Sequence, residues 1–352
     1  MALIEAAFSL ASSSSYSLRS SSPFSSPLLL HKNALPIKSF TLLSKRNLSN
    51  GSGSHYPDIE ESPPNAHDSF LRRFRTKRGL SVTDLTSTEW CEKQMEFSLQ
   101  LGGREMNKIM RAGIERHAKL EQEVITRVEV EIKSREDWWA LKFLNFINGV
   151  NQLLSEGLTR ELPVMGIAEG IWIVGVIDEI QMPLTGNDKN PFLIDTKTRS
   201  RDKLPSEPQR RNGRLQLMCY KYLWDNLVSD DFPSKKFFTF FGLNPQHILC
   251  EDLEELSDDS GIYALTLDDV VRCYGDTCKM LGPAHDQLLL RYEYQKDYSL
   301  LGVDKFEYDS DWLKNQIRHS LEFWHGEREA RYASAEERWK CRFCQYATVC
   351  PR

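Results

Sequence analysis

The chain has 352 residues with 45 Lys and Arg against 50 Asp and Glu, a formal charge of −5. There is no global basic signal for nucleic acid, although an enzyme needs only a local basic channel. Hydrophobic and charged contents of 40 % and 27 % suit a soluble globular protein of one large domain or two ordinary ones, and no apolar run approaches the ~18–20 residues of a membrane span.

Residues 1–50 differ in kind. They hold fourteen Ser, five basic residues (Arg19, Lys32, Lys38, Lys45 and Arg46) and a single acid, Glu5. A Ser-rich, acid-poor leader reads as an organelle transit peptide outside the fold. With few early arginines it favours the plastid stroma, with the mitochondrion as the alternative. Residues 51–70 are a Gly-, Ser-, Pro- and acid-rich linker, leaving 71–352 as one domain. A reducing compartment makes a disulfide framework unexpected for the eight cysteines.

The domain opens with a basic burst, LRRFRTKR, and then several N-cap residues before a helix expected near Trp90, with Cys91 in its first turn. Helical patterns cover 106–130 and 138–156. Ile171 to Arg199 then reads as a β-hairpin. Its apolar runs (171–180 and 192–194) flank a turn-rich segment at 186–190. A basic loop follows, with Arg199, Arg201, Lys203, Arg210 and Arg211 as candidate phosphate contacts. Next come a helix over 214–228, an alternating strand over 236–249, an acidic loop over 251–260, and helical segments over 268–297 and 309–332. Trp138 and Trp139 are either base-stacking or core aromatics. This order predicts an α/β core with helical decoration.

The hairpin carries the chemistry. Asp178 lies in its first arm and Asp195 ends its second. Lys197 shares the face of Asp195, because residues two apart in a strand point together. Two carboxylates and a lysine can hold a divalent metal and orient a water for phosphodiester hydrolysis. His117, in Gly113-x3-His117-x3-Glu121 on the preceding helix, would add a nitrogen donor. Gln216 and Tyr220, four apart on the following helix, could orient a DNA strand or the lysine. At the C-terminus Cys341-x2-Cys344-x5-Cys350-Pro351, with Cys91, could bind either an iron–sulfur cluster or zinc; the trailing proline echoes ferredoxin ligation.

The ordered set Gly113-x3-His117-x3-Glu121, Gly175-x-x-Asp178, Asp195-x-Lys197 and Gln216-x3-Tyr220 resembles the RecB-type branch of the PD-(D/E)xK nucleases. The four cysteines, together with RGLSVTDLTSTEWCEKQ (78–94), resemble those of the exonuclease V family. The resemblance covers residues 72–350. It departs at position 195, which is Asp where much of the superfamily has Glu.

The resemblance implies a restriction-endonuclease-like core, in which a mixed sheet is flanked by helices and a helical iron–sulfur region joins the two ends. It implies a single-stranded-DNA exonuclease of organellar DNA repair. Asp178, Asp195, the Thr196 carbonyl and His117 would hold Mg²⁺, with Mn²⁺ able to substitute. Lys197 would orient the water, and Gln216 and Tyr220 the strand. A [4Fe–4S] cluster on Cys91, Cys341, Cys344 and Cys350 would be structural. Rival readings are a cluster-bearing nucleic-acid-binding scaffold with an inactive site, and a zinc-stapled RNA-processing nuclease. The expected state is a monomer away from membranes. No GxxxxGK[ST] phosphate loop is present, so strand separation would require a helicase or single-strand-binding partner.

Overall fold

The computed structural model describes residues 40–44, 68–103, 106–124, 126–183, 190–259 and 261–351. The linker over 51–67, most of the turn over 186–190 and most of the leader lie outside them. Within the leader, however, β1 (Phe40–Ser44) pairs in parallel with β3 (Thr126–Val130).

Among the described residues the main sheet is six-stranded and mixed. Its centre is β5 (Ile171–Gln181), which pairs antiparallel along its whole length with β4 (Leu158–Ala168). The hairpin turn between them is Glu169-Gly170, both residues with positive φ (48° and 80°), as a two-residue turn that matches strand twist requires. The opposite edge of β5 is shared. β2 (Leu80–Ser81) takes Ile173 and Val174 in parallel, while β6 (Phe192–Arg199) takes only Glu179 to Gln181. Between those two contacts β5 and β6 fork. β6 then runs parallel to β7 (Gln287–Tyr294), and β8 (Leu300–Glu307) closes the edge antiparallel.

Helices cover the sheet. α1 (Phe70–Arg75) packs its Phe70 ring 4.9 Å from Phe323 of α10 (Ser310–His325). α2 (Val82–Trp90) starts at a Ser81–Asp84 capping box, and α3 (Glu92–Leu101) follows at once. α4 (Lys108–Gln122) carries His117. α5 (Arg135–Glu156) runs from a Ser134 cap to a left-handed Gly157. α6 (Glu207–Ser229) has proline in its first turn and buries Leu217, Tyr220 and Trp224. α7 (Ser234–Phe241), α8 (Glu251–Asp259) and α9 (Leu267–Cys278) complete an aromatic core. In it Phe237 and Tyr274 each stack on Phe143, with centroids 5.2 and 4.6 Å away. A 3₁₀ helix (Ala335–Phe343) leads into the C-terminal cysteines.

Several expectations change. A helix does start beside Trp90, α3 from Glu92, but Cys91 is its cap and the extended joint after α2 rather than a first-turn residue. The 106–130 helix stops at Gln122. The expected strand over 236–249 is instead α7, because Phe237 and Phe241 are four apart and buried together. The acidic loop is α8. The 268–297 helix ends at Cys278 and gives way to β7, whose alternating Leu288, Leu290 and Tyr292 are buried. The strand before the hairpin, β4, was not anticipated.

Gly175 sits in the fork. A Cβ there would come 2.7 Å from the Tyr220 ring and 3.0 Å from Val82. Gly175→Ala is expected to cost about 1–3 kcal/mol of stability through overpacking. Urea unfolding would measure this, with DNA-degrading activity falling further than stability alone explains because Tyr220 is displaced.

Candidate active site at the fork between two strands

Asp178 and Asp195 meet on the first rung where β5 and β6 no longer pair. Glu179↔Ile194 is the last rung of the pairing, so the next positions along the fork are Asp178 and Asp195. Asp195 is fully buried, and Lys197 Nζ lies 2.8 Å from its Oδ2. The lysine also donates to Gln216 Oε1 at 2.9 Å, and Gln216 Nε2 donates to the Tyr220 hydroxyl at 3.0 Å. Gln216 therefore orients the lysine. Tyr220, only 4 % exposed, acts through that amide and offers no surface to a DNA strand.

The field within the fork separates the two acids. Burial pushes the Asp178 carboxyl well above the usual range, and neighbouring Asp195 adds to the rise. Burial also opposes ionisation of Asp195, but the Lys197 ammonium outweighs it and holds that carboxyl below its usual range. Lys197 loses solvation too, yet Asp195 and Asp178 raise it above an ordinary lysine. Burial and the neighbouring acid thus oppose ionisation of Asp178, while Lys197 favours it at Asp195.

His117 comes in from α4. Its Nε2 is 2.8 Å from the Thr196 carbonyl, and its Nδ1 is 3.5 Å from both Asp178 Oδ2 and Glu161 Oε1. A ladder of ion pairs braces this helix. Buried Glu179 accepts from Arg160 Nε and from Arg291 Nη2, each at 2.9 Å. Arg160 reaches the Leu120 carbonyl and Glu123 of the α4 end, and Arg116 holds Glu293 of β7 at 2.7 Å. Glu121 is buried on the same helix.

Sequence reasoning missed Glu161. The β4–β5 register sets Arg160 against Glu179 and Leu162 against Ile177, so Glu161 falls opposite Asp178. The Glu169-Gly170 turn between two apolar runs was the available signal, because a two-residue turn fixes which residues face each other. Glu161, Asp178 and His117 form a group whose donor atoms all lie within 4.8 Å of one another.

The basic loop divides. Arg201 and Lys203 are exposed, and Arg199 is half-buried beside Tyr292 and Arg201. Arg210 pairs with Glu207 at 3.0 Å. Arg211 is engaged by Glu89 of α2 at 2.6 Å and Glu337 of the tail at 2.8 Å. Trp139 is core, edge-on to Phe237.

The four predicted cluster cysteines line one cavity. Cys91, Cys341, Cys344 and Cys350 share it with Lys93 and Arg338. Gln94 donates to Cys344 Sγ at 3.4 Å, and the neighbouring Cys344 and Cys341 bear electrostatically on Cys91. The tail is also held by protein contacts: Arg328 grips Glu92 through both nitrogens, at 2.6 and 2.7 Å, and Tyr346 donates to the Gly103 carbonyl.

A mixed α/β fold with acids, a histidine and a half-buried lysine where two strands part has the equipment of a metal-assisted hydrolase. Residues 69–191, 182–263 and 275–351 match the family described as exonuclease V, a 5′ deoxyribonuclease. The chain is also 32 % identical over 287 residues to the exonuclease V of Danio rerio, covering 80 % of this chain and 71 % of that protein. The chain belongs to the exonuclease V family and is by that membership a DNA exonuclease, a class that implies a divalent metal.

A metal entering the fork needs the ionised form of Asp178, which burial and Asp195 oppose. Mn²⁺ affinity, followed by calorimetry, is expected to fall by up to about tenfold per pH unit on acidification. The sign for the metal-free chain is opposite. A carboxyl raised in the folded state favours that state at acid pH and loses the contribution as pH rises through its folded pKa, so removing metal should shift optimum stability toward acid.

Proposed function

We propose that the chain is a Mg²⁺-dependent exonuclease of single-stranded DNA acting in organellar DNA maintenance. The observation that carries this reading is Lys197, half-buried with its ammonium shared between Asp195 and Gln216. An ammonium has three N–H donors. With two committed, the third remains for an attacking water or a non-bridging phosphate oxygen, where positive charge stabilises the developing anion. Asp178 and Asp195, with His117, are the residues to hold a divalent ion, which supplies Lewis acidity at the phosphoryl oxygen. Thr196 has its carbonyl against His117 and keeps one lone pair for the same ion. Arg199, Arg201 and Lys203, on the β6–α6 connection beyond Lys197, suit a phosphate backbone leaving the fork.

The cysteine cavity suits a [4Fe–4S] cluster better than zinc. Four free thiols converge with Lys93 and Arg338 to balance thiolate charge. Zinc–sulfur bonds of about 2.3 Å would bring the sulfurs of a tetrahedral site to within about 4 Å of one another. Among the described residues no three cysteine sulfurs gather within 4.8 Å. The group would tie the α2–α3 joint to the tail and hold the domain's ends together. For localisation, the Ser-rich leader supports a plastid, and the pairing of Phe40–Ser44 with β3 favours a cleavage point ahead of residue 40.

Lys197→Ala is expected to cut hydrolysis of a 5′-labelled single strand in Mg²⁺ at least a hundredfold while leaving Mn²⁺ binding and folding intact. Hydrolysis at the wild-type rate would overturn the role given to the lysine. End-blocked and circular strands should resist, and RNA should be degraded far more slowly than DNA. Anaerobically purified protein should absorb near 400 nm and lose that band in Cys344→Ser. A colourless protein with stoichiometric zinc would sink the cluster assignment.

A further inference from the structure

We propose that Glu161 is a ligand of the divalent ion, acting with Asp178 and with Nδ1 of His117. The inference rests on the metal-dependent reading of the fork. It adds a residue from β4, a strand outside the hairpin that bears the aspartates and the lysine.

The orientation of His117 carries the argument. Its Nε2 faces the Thr196 carbonyl at 2.8 Å. A carbonyl only accepts, so that nitrogen carries a proton, and Nδ1 is the nitrogen left to face a cation. Nδ1 lies 3.5 Å from Glu161 Oε1 and 3.5 Å from Asp178 Oδ2. The three donor atoms lie within 4.8 Å of one another, close enough to hold one cation among them. Asp178 Oδ2 adds an independent sign: it is buried and has no hydrogen-bond partner among the described residues. A buried carboxylate oxygen left in that condition is costly. Glu161 also contributes to the field that raises Asp178 and Lys197, so it belongs to the same electrostatic unit. Two carboxylate oxygens and one imidazole nitrogen suit Mn²⁺ or Mg²⁺.

The backbone makes the test decisive. Glu161 has φ 52°, although it lies within a strand, and a non-glycine side chain is strained in that left-handed region. Glycine would relieve the strain and remove the ligand together. A residue kept for stability and a residue kept for metal therefore predict different outcomes.

The experiment titrates Mn²⁺ into the full chain, following loss of the free-ion electron paramagnetic resonance signal, and records the melting temperature of each metal-free variant. Glu161→Gln is expected to weaken Mn²⁺ at least tenfold with melting close to wild type. Glu161→Gly is expected to weaken Mn²⁺ as much while raising the metal-free melting temperature by a few degrees, so that affinity and stability move in opposite directions. Mn²⁺ affinity within twofold of wild type in both variants would overturn the proposal; Nδ1 would then carry a proton and Glu161 would be only its ion-pair partner. Asp178→Asn separates the two levels. If it loses Mn²⁺ while the Glu161 variants keep it, only this inference fails. If it also binds as wild type does, the metal reading of the fork fails with it.

Discussion

A lysine set against a fully buried carboxylate needs its charge answered on the spot, and half-buried Lys197 is answered by Asp195 and Gln216. That requirement reaches far into the molecule. Asp195 must stand just past the last rung that β6 shares with β5, and α6 must run close enough to present Gln216. Gln216 in turn is held by the hydroxyl of Tyr220, and the Tyr220 ring fits only because position 175 lacks a side chain. The fork between β5 and β6 is where these demands coincide. Its opening ends the β5–β6 ladder at the two acids, with Asp195 still paired to Leu290 of β7, and leaves room for an ion and a phosphate.

The second layer of organisation is behind the sheet. Arg160, Glu179 and Arg291 form a buried chain of charge that crosses three strands and ends on α4. Such a chain adds little net stability compared with apolar packing. What it does provide is register, since Arg160 and Glu179 are opposed across β4 and β5 and α4 can deliver His117 at only one height. The motif histidine is positioned by residues outside the motif.

The cysteine end of the molecule connects to the same machinery through α6. Arg211 binds Glu89 beside the Cys91 joint and Glu337 just ahead of Cys341, five positions before Gln216 on one helix. A disturbance of the tail therefore has a short mechanical path to the active lysine. The path is made of ion pairs and a helix as well as any bound group, and the Arg328–Glu92 grip shows that the tail has protein contacts of its own.

The chemistry-bearing residues were legible in the sequence because spacing is local. Asp195 and Lys197 share a strand face by the period of two, Gln216 and Tyr220 share a helix face at four, and the cysteine spacings stand in plain view. Local patterns also misled: the Phe-rich run over 236–249 alternates well enough to suggest a strand, but its first part is a helix whose Phe237 and Phe241 pack against α5 and Trp172 of β5. Arg211 was indistinguishable from its basic neighbours until Glu89 and Glu337, both distant in sequence, were found against it. Glu161 was an ordinary acid until the β4–β5 register set it opposite Asp178. Sequence alone determined which groups are available and which pairs share a face. The tertiary structure decided which of them meet, because whether a charge is buried, paired or free depends on contacts between segments far apart along the chain.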